Sequence, residues 1–151
     1  MLLSVLLAHG HGSRFGLSDL SVAPEAPAAI WGVSTGWGVI HTGDGGESWA
    51  WHCEEALGVS AVYDVLALDA ERAWLATSGG LFEVDTGCGV TRVPGLPEDG
   101  YPAALERAGA EILVAAYAEE RNGLWRCTES GCAEGPVGGT DLYVKSMVVD
   151  G

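Results

Sequence analysis

The feature that most constrains this chain is a period. Three segments, GVIHTGDGGESW from Gly38, GLFEVDTGCGV from Gly80 and GLWRCTESGCAEG from Gly123, share one plan. Each opens on Gly and two apolar residues, then enters a polar turn carrying an acid two residues before a glycine: Asp44 and Gly46, Asp85 and Gly87, Glu129 and Gly131. The opening glycines are 42 and 43 residues apart. Upstream of each lies an apolar strand candidate (AIWGVS, AWLATS, EILVAAY), and upstream of that another (LSDLSVA, VYDVLALD, YPAALER). A strand, strand, hairpin unit recurring about every 40 residues is the period of a four-stranded propeller blade. The expected fold is therefore all-β, with blades over residues 13–58, 59–99 and 100–139 and the first strand of a fourth over 140–151. Closed propellers need four or more blades, so a propeller fragment is expected, with a multichain ring or an open solenoid as alternatives.

Composition agrees with short strands and many turns. The 23 glycines have no three-residue period, which excludes collagen, and 48% hydrophobic residues suffice for a core. Seven basic residues against 21 acids leave a formal charge of −14, which repels polyanions and excludes nucleic acid as a partner. The opening MLLSVLLAHGHG, residues 1–12, reads as the remnant of a signal peptide followed by a mature N-terminus; its apolar run is too short to span a membrane. The expected location is secreted, periplasmic or cell-surface. His9 and His11 form an HxH pair, but two ligands near a terminus do not define a metal site. No metal and no cofactor are expected.

The stretch TGDGGESW, residues 42–49, resembles the Asp-box of BNR-repeat β-propellers, Ser/Thr-x-Asp-x-Gly-x-Thr/Ser-Trp, through Thr42, Asp44, Gly46, Ser48 and Trp49. The other two copies depart from it. VDTGCGV is one residue shorter and has Val90 at the Trp position, and CTESGCAE carries Cys127, Glu129 and Glu134 at the corresponding places. The group includes sialidases, other glycoside hydrolases, sortilin-type receptors and proteins similar to photosystem II assembly factors. The resemblance implies that the box joins the third and fourth strands of a blade, opposite the usual ligand face. Its chemistry is that of a staple: a carboxylate takes up backbone N–H groups of its own turn, glycines supply positive φ, and an indole covers the hairpin.

Four cysteines, Cys53, Cys88, Cys127 and Cys132, permit three pairings. Cys127 and Cys132 flank a hairpin and suit a local bridge, which leaves Cys53 with Cys88; export favours disulfides over zinc, for which no CxxC is present. Sialidases of the resembled family carry an arginine triad and an early Arg-Ile-Pro segment. That segment is missing, and the six arginines are scattered. There is no HExxH and no phosphate-binding glycine loop. No catalytic residue is assigned; a sialidase-like glycosidase whose catalytic residues lie in further blades, and a structural or assembly-factor-like surface protein without a small ligand, are the alternatives. Loops 34–37, 54–60, 77–79, 97–101 and 117–122 are expected to share the face opposite the box. They hold Trp37, Glu54, Glu55, Tyr101, Tyr117, Glu119, Glu120 and Arg121, a combination suited to a protein or glycan partner.

Overall fold

The computed structural model describes residues 16–34, 38–52, 54–118 and 122–138, and forms three antiparallel four-stranded sheets. The first runs β1 (Leu17–Ala23), β2 (Ala26–Ser34), β3 (Gly38–Thr42), β4 (Ala50–Trp51); the second β5 (Val62–Ala67), β6 (Arg72–Thr77), β7 (Gly80–Asp85), β8 (Val90–Arg92); the third β9 (Tyr101–Ala108), β10 (Glu111–Tyr117), β11 (Gly123–Thr128), β12 (Gly131–Gly138). Each sheet keeps its strands in chain order, as a blade does, and β1, β5 and β9 are neighbours across successive sheets. One departure from the sequence reading is α1 (Glu54–Leu57), a single helical turn within what reads as a loop; it seats Leu57 in the core between the first two sheets. The expected N-terminal remnant and the expected fourth-blade strand lie outside the described residues.

Alternation along the second strands decides which sheet each residue meets. Trp31 and Val33 pack with Val65, Ala67, Ala73 and Leu75 of the second sheet, whereas Trp74 and Ala76 face the third sheet's Leu105, Ile112 and Val114. Both indoles are fully buried. Trp31, Trp74 and Leu113 occupy matching strand positions that the sequence alone marks as core, but Leu113 is only half-buried, because that position points away from the second sheet.

Register places a bulge at one point in every first strand. Leu17 pairs Ser34 and Asp19 pairs Val33; Val62 pairs Thr77 and Asp64 pairs Ala76; Pro102 pairs Ala116 and Ala104 pairs Ala115. The skipped residues are Ser18, Tyr63 and Ala103, so Asp19, Asp64 and Ala104 are equivalent. β5 and β9 are edge strands, so alternate main-chain N–H groups on their open side are left for a neighbouring blade. Val65 N donates to Asp19 Oδ2 at 3.1 Å, and Leu105 N donates to Asp64 Oδ2 at 2.6 Å. Ser21 Oγ adds a bond from Ala67 N at 2.9 Å. Side chains of one blade thus close main-chain donors of the next.

The three hairpins of the period are held by different means. In the first, Thr42 Oγ1 donates to Asp44 Oδ1 at 2.6 Å, and Asp44 accepts from Ser48 N at 3.0 Å and Ser48 Oγ at 2.5 Å. Gly46 has φ 96° and lies under the Trp49 ring, where a Cβ would stand 3.7 Å from it. In the second, Asp85 Oδ1 accepts from Gly87 N at 2.8 Å and Gly89 N at 2.9 Å, so the bond to the fourth residue onward persists without a hydroxyl. In the third, Glu129 reaches out to Arg72 at 3.5 Å, and the Cys127–Cys132 disulfide closes a directly opposed pair. Cys88 is also disulfide-bonded; Cys53 lies outside the described residues.

Candidate binding face

The end of each sheet at which its second strand closes and its third strand opens lies opposite the Asp44, Asp85 and Glu129 turns. Three tyrosines gather there. Tyr101 opens β9 and Tyr117 closes β10, opposite each other in register, with ring centroids 5.5 Å apart and planes tilted by 39°. Tyr63 extends the row across the seam, 6.0 Å from Tyr101 at 51°. Tyr63 and Tyr101 are 45% and 44% exposed, far from the burial expected of seam-packing aromatics, and Tyr117 is half-buried.

Of the residues singled out by sequence, the structure brings Tyr101 and Tyr117 together. Glu54 and Glu55 lie in α1, whereas Trp37, Glu119, Glu120 and Arg121 lie outside the described residues. Tyr63 escaped the sequence reading because VYDVLALD passes for an ordinary alternating strand. A signal was present: Tyr63 matches Ser18 and Ala103, and a place served by serine and alanine elsewhere has no packing need for a phenol.

Other features among the described residues also resemble sites. The first is the Asp19 and Asp64 pair. Burial, and secondarily the hydrogen bond and charge of Asp19, push Asp64 up to about 8. A raised carboxyl resembles a general acid. Both Asp64 oxygens are nevertheless taken, Oδ1 by Val65 N at 2.7 Å and Oδ2 by Leu105 N at 2.6 Å, so its chemistry is spent within the fold. The second is an apolar cavity of about 350 Å³ lined by Leu17, Ser34, Ile40, Trp49 and Trp51. It opens on the first sheet's face away from the second. There Leu20 and Val22 are 50% and 52% exposed, while their equivalents Val65, Ala67 and Leu105 are covered by the preceding sheet. Its apolar character is that of a blade seam.

Among the described residues no cluster of three or more metal-ligating side chains occurs, and no helix is long and apolar enough to cross a membrane. No family model and no curated protein matches the chain. Solved structures do. YCF48 from Cyanidioschyzon merolae is similar with a TM-score of 0.56 at 18% identity, covering 80% of this chain and 37% of that one. A structure of YCF48 bound to D1 peptide is similar with a TM-score of 0.53 at 18% identity, covering 76% of this chain and 38% of the other. The chain thus spans less than two-fifths of these neighbours, and the likeness shows its fold: blades of a β-propeller.

Proposed function

We propose that the chain is part of a non-catalytic, exported propeller of the Asp-box type that serves as a protein-binding platform. The observation that carries this reading is the row Tyr63, Tyr101 and Tyr117, exposed aromatic area fixed on strand ends across two blades. Rigid aromatic rings give contact area at low conformational cost, which is what protein hot spots require. Exposed rings on strand ends suit a polymer laid across them. One solved neighbour, YCF48, is bound to a peptide, in line with a propeller that recognises protein segments. The Cys127–Cys132 bridge supports an oxidising compartment, and the Thr42, Asp44 and Ser48 bonds support the Asp-box assignment.

The test is affinity capture from the exported fraction with the wild-type chain and with Tyr63→Ala/Tyr101→Ala. A partner retained by the wild type and lost by the double variant is expected. Identical recovery by both would move binding away from this face.

A further inference from the structure

Resting on the platform reading, we infer that the tyrosine row recognises an extended, arginine-bearing segment of the partner. Three observations converge on that chemistry. The first is charge. The chain carries a formal charge of −14, and exposed Glu98 and Asp99 stand in the loop leading into Tyr101. The second is the nature of the rings. A phenol face attracts cations, and a guanidinium, planar and weakly hydrated, stacks on it better than an ammonium.

The third is spacing. Side chains on one face of an extended chain recur about every 6.6 Å, two residues at 3.3 Å each. The ring centroids follow one another at 6.0 Å and 5.5 Å, so successive rings meet alternate residues of an extended segment. Tilts of 51° and 39° make a row of separate cradles rather than one flat platform, which disfavours the broad stacking that sugar rings use. Backbone placement keeps the cradles in step: Tyr63 is held by the β5 bulge, and Tyr101 and Tyr117 by direct register.

The probe is an end-capped peptide of four alternating Arg-Ala pairs, titrated into the intact chain by calorimetry, with Lys-Ala and Glu-Ala peptides and neutral oligosaccharides in parallel. The Arg-Ala peptide is expected to bind most tightly, Lys-Ala more weakly, and Glu-Ala and the sugars not at all. At exposed rings each cation–π contact is worth about 2- to 5-fold in affinity, so Tyr63→Ala and Tyr101→Ala each cost about that factor. Tyr63→Phe and Tyr101→Phe keep the π face and retain binding. Equal binding of Glu-Ala, sugar binding with the same tyrosine dependence, or unchanged Arg-Ala binding to the double alanine variant overturns the inference. Loss of the captured partner from that variant, with Arg-Ala and Glu-Ala binding alike, leaves the platform and removes the arginine. Retention of the partner removes the platform whatever the peptides do.

Discussion

Replacing Asp64 by Asn changes how stability depends on pH, and the sign follows from the structure. In the unfolded chain this carboxyl loses its proton near 3.8; in the folded chain, burial first and Asp19 second hold the proton up to about 8. Between those values the folded state binds one proton more, so stability falls as pH rises, by about 1.4 kcal/mol per pH unit. The contribution is fully present below the unfolded value and gone above the folded one. From pH 5 to pH 7 the wild type therefore loses about 2 to 3 kcal/mol that Asp64→Asn does not lose. The amide keeps one acceptor for the N–H groups of Val65 and Leu105 and offers its NH₂ toward Asp19. Forfeiting the other acceptor costs about 1 kcal/mol at pH 4, where wild type is the more stable. At pH 7 the order reverses. Urea midpoints from tryptophan fluorescence at pH 4, 5, 6 and 7 measure this directly, and other titrating groups cancel in the difference. Parallel curves for the two proteins would refute the argument. Asp19→Asn removes the neighbouring charge and is expected to shallow the slope.

The bulge alignment predicts that Leu105→Ala, under the second sheet, costs about 2 to 5 kcal/mol in chemical denaturation, whereas Leu20→Ala at the equivalent exposed place changes stability by less than about 0.5 kcal/mol. His52, lowered by burial and then by His41, is neutral in the fold; stability is lost as pH falls below 6.5, and His52→Gln flattens that acid limb in thermal scans. Asp44→Ala lowers the thermal midpoint because Ser48 N and Oγ and the Thr42 hydroxyl lose their shared partner, while calorimetric peptide binding stays unchanged. Removing both Cys127 and Cys132 as alanines costs about 2 kcal/mol of equilibrium stability, the closure entropy of so short a loop.

The architecture was legible in the spacing of Gly38, Gly80 and Gly123, because a blade needs its hairpin at one place in every repeat. Strand identity followed from local pattern, and so did the placement of Tyr101 and Tyr117 on the loop face. What stayed hidden depends on register. A bulge shifts pairing by one residue without altering composition, so nothing in LSDLSVA or VYDVLALD announces that Asp19 and Asp64 serve the next blade. Helix α1 was hidden for another reason: four residues are too few to show a helical period, and Leu57 is held by the core rather than by propensity.

The repeat also separates positions that carry the fold from positions free to vary. Where a side chain closes main-chain donors, its loss has a visible consequence: Glu129 leaves its turn and a disulfide closes that hairpin, while alanine at 104 has no carboxylate to continue the relay of Asp19 and Asp64. At the bulge the constraint is weaker. Ser18, Tyr63 and Ala103 span a wide range of volume on one backbone geometry, because the skipped residue is displaced from the ladder and need not fill a seam. A phenol there adds nothing the fold requires, yet it stands 6.0 Å from Tyr101 and completes a row that neither blade makes alone. If the row were incidental packing, Tyr63→Ser, which restores the first blade's residue, would lower stability and spare binding. If the row recognises a partner, the same substitution spares stability and weakens binding.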